Sequence, residues 1–188
     1  MDKTYNDLKR ARDEVSASSA GGAPFLICYG FTFIVTGILA FNLPRETSAL
    51  IAMFQGGMAL PVAFWLERRM GTTRMSNENP LKNLSAQMAM SQALALPFLI
   101  VVYNIDPSQI PVVMAGLGGV HFLPYAWLHR TNIYAILGFV VSVGAFALIL
   151  GLKTLAYSYI LVFVGVVYWI GAPLVYRHAK NIVKQTTG

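Results

Sequence analysis

Residues 118–130 read GGVHFLPYAWLHR, and His121 within them is separated from the next ionisable imidazole, His129, by an almost wholly apolar stretch. An imidazole titrates near neutral pH, so in apolar surroundings it can relay a proton or act as general acid or base. On a helix, Tyr125 lies one turn on and shares its face. Gly118 opens space one turn back, and Pro124 withholds the amide that would bond the carbonyl of residue 120. Together these could line a small polar pocket, with Gln55 and Gln92 as further hydrogen-bonding groups and Pro61 and Pro124 shaping it. The alternative stays open: His121 as a neutral imidazole joining two helices. Gln87 with Ser91, like Gln55 and Gln92, also fits plain interhelical packing. Glu67, beside Arg68 and Arg69, is the acidic group placed to partner His121 or His129, or to form an ordinary surface ion pair. No other His, Cys or carboxylate shares a segment with His121 at ligand spacing, so neither metal nor cofactor is expected. Cys28 has no base near it in sequence, and no Gly-x-Ser-x-Gly motif occurs, which leaves nucleophilic catalysis without support.

What must hold these groups follows from composition. The chain has 188 residues, of which 56% are hydrophobic and 12% charged, with a mean hydropathy of +0.57. Soluble domains carry about 25% charged residues, so the natural solvent for much of this surface is lipid. Six segments without internal charge approach the roughly 20 residues a bilayer requires: 24–43, 49–66, 84–103, 109–128, 133–152 and 155–176. Helices are demanded because lipid cannot satisfy a bare backbone. The expected fold class is all-α, a polytopic bundle of six transmembrane helices as three antiparallel hairpins. Residues 1–22 would form an extension with a short helix, 23–177 the membrane domain, and 178–188 a tail. His121 then lies about 18 Å into the fourth span.

Charge gives the orientation. Twelve of the fourteen Lys and Arg residues fall on the side of the termini and of the 67–83 connection; only Arg45 and Lys153 fall on the other. The positive-inside rule puts both termini in the cytoplasm, here of a bacterial inner membrane. The net charge of +6 is then explained by topology and anionic headgroups. No basic patch with interleaved aromatics marks a nucleic-acid surface, so the expected partners are membrane lipids, a small-molecule or lipid ligand, and a second copy of the chain.

A shift of 62 residues aligns 38–68 with 100–130, with identities at Asn42/Asn104, Gly56/Gly118, Gly57/Gly119, Trp65/Trp127, Leu66/Leu128 and Arg68/Arg130 among others. The pattern GG-x7-WL-x-R recurs, each copy ending a span with an interfacial tryptophan and a flanking arginine. The repeat runs parallel, unlike the inverted repeats of many alternating-access transporters. Prolines 61, 97 and 124 interrupt spans two to four and point to an irregular region there.

The stretches FQGGMALPVAFWL, NPLKNL and GVHFLPYAWL resemble an uncharacterised family of small bacterial six-helix integral membrane proteins, over about residues 22–180. That resemblance implies the six-helix fold and no particular chemistry. The size and helix number also look like the substrate-binding subunits of energy-coupling vitamin transporters, although the first span carries Gly30 and Gly37 instead of their Ala-x-x-x-Ala stripe. The expected function is binding or translocation of a small or lipid-like ligand in a pocket between spans two to four. The alternatives are an intramembrane lipid enzyme using His121 and Glu67, and a structural subunit without ligand.

Overall fold

The computed structural model describes residues 3–187. Eight helices follow in order: α1 (Lys3–Ser18), α2 (Ala23–Leu39), α3 (Arg45–Met70), α4 (Lys82–Ala93), α5 (Leu96–Ile105), α6 (Ile110–Leu128), α7 (Ile133–Leu152) and α8 (Ala156–Thr187). Single 3₁₀ turns sit at Ala20–Gly22, Pro107–Gln109 and Lys153–Leu155, and no strand occurs among the described residues. The protein is all-helical. Four helical stretches are long and apolar enough to cross a membrane: Ala20–Leu39, Arg45–Met70, Pro107–Leu128 and Ile133–Gln185. The last doubles back at Lys153, whose φ is +50°, and comprises α7 and α8.

The run 84–103 departs from expectation. It is not one span but α4 and α5, and its apolar part, Met90–Ile105, is shorter than a crossing. Pro97 explains the break. It has no amide to bond the Ala93 carbonyl, so the helical ladder lapses at Leu94 and Ala95. α5 therefore restarts with the proline in its first turn. At the far end of the chain, residues expected as a tail continue α8 to Thr187.

Close approaches fix the helix directions. A side chain added at Gly144 would strike Phe163, and one at Gly171 would strike Leu137, so α7 and α8 run antiparallel. Likewise Gly21 abuts Val175 and Gly37 abuts Val162, setting α2 against α8. Thr36 bonds Gln55 and Phe25 meets Phe64, which sets α2 against α3. Gly119 and Gly138 bring α6 and α7 into backbone contact: a Cβ at Gly119 would lie 2.6 Å from the Gly138 carbonyl oxygen. Thus α3, α6 and α8 run one way, and α2 and α7 the other. The core lies among α2, α6, α7 and α8, with Ile110, Val141, Leu161 and Ala23 fully enclosed. α4 packs mainly on α6, with Met88 in a cluster beside Val15 of α1, and α5 on α6 and α3; Gln87, Met90, Gln92 and Leu94 stay exposed.

α1 closes one end of the bundle. Gly21 (φ +65°) and Gly22 (φ +80°) allow the sharp turn into α2. Val15 of α1 and Leu128 at the end of α6 are both fully buried, in a cluster that includes Leu81. Asp13 accepts a 2.6 Å ion pair from Arg130, and the Arg12 guanidinium lies over the Trp127 ring and donates to the Trp127 carbonyl. The 71–81 connection straps α1 from beneath, with Asn79 Nδ2 donating to the Ala11 carbonyl at 3.0 Å and to Glu14 Oε2 at 2.7 Å.

Candidate functional site

Residues 121, 125 and 129 are four apart, so they stack along one face of α6. Their rings touch in sequence. His121 meets Tyr125 edge-on with centroids 5.0 Å apart, and Tyr125 stacks on His129 at 5.9 Å. His129 in turn stacks on Tyr134 of α7 at 5.3 Å. Phe122 and Tyr168 of α8 extend the column, 5.3 Å apart.

His121 is half-buried. Its Nδ1 lies 3.2 Å from the hydroxyl of Ser91 on α4. Ser91 gives its proton to the Met88 carbonyl at 2.7 Å. A hydroxyl has one proton to donate, so the imidazole is the donor, from Nδ1–H to Ser91 Oγ. Nε2 is left as the acceptor, able to take a hydrogen bond or a proton from a bound molecule.

His129 was expected only as a rim partner for Glu67. Instead it is 2% exposed. Its Nδ1 lies 3.0 Å from Ser16 Oγ of α1, and its carbonyl accepts from His178 Nε2 at 3.1 Å. Removal from water, with His178 nearby as a second contribution, pushes its pKa down to about 3, so it is neutral at neutral pH. Buried on every side, it serves as a structural node where α1, α6, α7 and α8 meet. The spacing His-x3-Tyr-x3-His was the available signal. Ser16, Tyr134 and His178 come from distant segments with no pattern to mark them.

Gln55 of α3 is 5% exposed. Its Oε1 accepts from Thr36 Oγ1 at 3.4 Å, whereas its Nε2 is buried without a partner. Beside it, Gly56 leaves room for the Tyr29 hydroxyl, which lies 3.2 Å from where a Cβ would stand. Gly118 does the same for the Tyr168 hydroxyl, at 3.1 Å. Tyr29 and Glu67 both lie near enough to act electrostatically on Tyr125. The bundle thus gathers Tyr29, Tyr125 and Tyr168 where the paired glycines leave space.

Of the residues singled out from sequence, His121 and Tyr125 come into direct contact, and Gln55 sits on a second helix reached through Tyr29. Gln92 follows Ser91 but is exposed. Pro61 and Pro124 stand on exposed faces of α3 and α6, which continue through them. A proline ring is apolar and lacks a donor, and such a face needs no polar surroundings. A cavity of about 360 Å³ lies between α2 and α8, and a polar cleft of about 480 Å³ lies between α1 and the 71–81 connection. Neither is lined by His121. Among the described residues, no group of three or more His, Cys, Asp or Glu is gathered closely enough to hold a metal ion.

Residues 8–178 match the family of unknown function DUF7010, and the chain belongs to it. No curated protein and no solved structure matches the chain.

Proposed function

We propose that this DUF7010 chain is a six-pass protein of a bacterial inner membrane, with both termini cytoplasmic, that binds or translocates a small or lipid-like molecule in a pocket between its second, third and fourth crossings. α2, α3, the broken pair α4–α5, α6, α7 and α8 are the six crossings. Residues 1–22 form a cytoplasmic extension, 23–177 the membrane domain, and 178–188 the tail. The 12-to-2 division of basic residues supports the orientation, and the four long apolar stretches support the membrane.

The ligand site lies at the corner of α3, α4–α5 and α6. One observation carries this reading: His121, on an apolar helix, has Nδ1 3.2 Å from the Ser91 hydroxyl, and the tautomer that fits this contact leaves Nε2 as an acceptor. An ionisable residue within a span is costly there and marks a site. Tyr125 beside it and the unpartnered Gln55 amide supply further polar contacts. The thinly packed α4 is the element that would move to admit a ligand. The enzymatic alternative asked for Glu67 on His121; the imidazole has Ser91 as its partner instead.

Native mass spectrometry of the purified wild type and His121→Ala tests this. A retained small molecule or lipid that disappears in the variant is the expected result. Identical spectra, with no specific adduct in either, would overturn the ligand site.

A further inference from the structure

On the outer face of α2 and α8, the cavity of about 360 Å³ is an open groove lined by Ala23 and Ile27 of α2, Met70 at the end of α3, and Trp169, Pro173 and Tyr176 of α8, among others. Its walls are almost wholly apolar. Even the Trp169 Nε1–H is already satisfied, donating to the Ile27 carbonyl at 3.1 Å, which leaves the indole face to hydrocarbon. From Trp169 to Tyr176 the helix rises about 10 Å, so the groove runs along the bundle axis toward the end that carries the basic residues.

At that end the charge carried by α8 is one-sided, and of the α1 carboxylates that close the same end Asp13 is taken by Arg130 and Glu14 by Asn79. Arg177 and Lys180 lie one helical turn beyond Pro173 and Tyr176, on the same face, and both are exposed. The Lys180 ammonium sits 4.7 Å from the centroid of the Tyr176 ring, at the mouth of the groove. Arg69 immediately precedes Met70 and is exposed, its guanidinium over the Trp65 ring. α8 contains no Asp or Glu. On α3, the carboxylate near this end is Glu67, which lies within electrostatic reach of Tyr125. An apolar channel about 10 Å long that ends in Arg177 and Lys180, neither of them in an ion pair among the described residues, is the complement of a chain with an anionic head.

We propose that this groove binds an anionic glycerophospholipid of the leaflet that the termini face. An acyl chain lies along Ile27, Trp169 and Pro173, and the phosphate is held by Arg177 and Lys180, with Arg69 adding to the field. The site is separate from the corner at His121. It rests on the proposed function only in placing α2, α3 and α8 in a bilayer.

Trp169 is a built-in reporter. In the full chain carrying Trp65→Phe and Trp127→Phe, its fluorescence is measured in nanodiscs containing increasing mole fractions of dibrominated phosphatidylglycerol or dibrominated phosphatidylcholine. Half-maximal quenching is expected at about tenfold lower mole fraction of the anionic lipid. Adding Arg177→Gln and Lys180→Gln, both at exposed positions, should bring the two lipids to near parity with helical content unchanged. Equal quenching by both headgroups before those substitutions would overturn the anionic site and leave the membrane placement standing. Absence of quenching by either lipid would overturn the site and the bilayer placement of α8 together, whatever mass spectrometry finds at His121.

Discussion

The two copies of GG-x7-WL-x-R end α3 and α6 with the same local chemistry in different company. On α6, Gly119 lies against the Gly138 backbone, Leu128 is fully buried, and Arg130 reaches Asp13 of α1. On α3 the matching Gly57 meets nothing within 4 Å, Leu66 is half-buried, and Arg68 is exposed. Between the conserved-looking Leu and Arg of each copy stands the sharpest difference: buried His129 in one, Glu67 in the other. Trp65 takes its cation from Arg69 of its own helix, whereas Trp127 takes Arg12 from α1. The same local pattern is thus a docking platform on α6, where α1 and α7 cover it, and is more open on α3, where Leu66 packs against α2.

The glycines break this comparison most sharply. Gly119→Leu would force α6 and α7 apart against a backbone oxygen, which no rotamer can relieve, so the expected outcome is loss of folded, monodisperse protein in fluorescence-detected gel filtration. Gly57→Ala should instead leave the thermal midpoint unchanged or raise stability by up to about 1 kcal/mol, through helix propensity. If both substitutions behaved alike, the α6–α7 contact would not be the one that distinguishes the copies.

Acid sharpens the comparison next. His129 stays neutral in the fold, with a pKa near 3, whereas in the unfolded chain it titrates at about 6.5. The unfolded state therefore binds the extra proton between these values. Its contribution to stability is complete above about pH 6.5 and falls as pH drops toward 3, by up to about 1.4 kcal/mol per unit. Thermal midpoints of the detergent-purified protein at pH 7.5, 6 and 5 should decline in the wild type and in Glu67→Gln. In His129→Phe, which keeps a ring between Tyr125 and Tyr134, that decline should flatten even though the Ser16 bond is lost. The same slope in all three would show that His129 does not carry it.

These differences also mark how far the residues could be read. Apolar runs located α2, α3, α6 and α7 to within about four residues and the start of α8, but not its continuation to Thr187 nor the break within 84–103. There a polar first half and Pro97 outweighed an average hydropathy that reads as one span. His121 and Tyr125 were legible as neighbours because four residues of helix guarantee it. The pairing of His121 with Ser91 was not, since it depends on how α4 leans on α6. His129 was undervalued for the same reason. Its burial is produced by Ser16, Tyr134 and His178, and contacts across more than a hundred residues, such as Ser16 to His129, leave no periodic trace. The prolines are a weaker signal, because an exposed helix face tolerates an interrupted hydrogen-bond ladder as well as a cavity does, and Pro61 and Pro124 both stand on exposed faces.

The tryptophans give the smallest effect and the finest test of whether α1 makes the difference. A cation over an exposed indole contributes about 0.5–1 kcal/mol. Trp127→Ala removes that contact but leaves the bond from Arg12 to the residue-127 backbone carbonyl, so α1 should loosen without detaching. Trypsin cleavage after the exposed Lys9 and Arg10 should then quicken by about two- to fivefold. Trp65→Ala removes an equal area of ring from a helix that α1 does not use through that residue, and its cleavage rate should match the wild type. Equal acceleration in both variants would mean that the tryptophans act through a shared interface and not through α1, and the two ends of the repeat would then be less different than their neighbours make them.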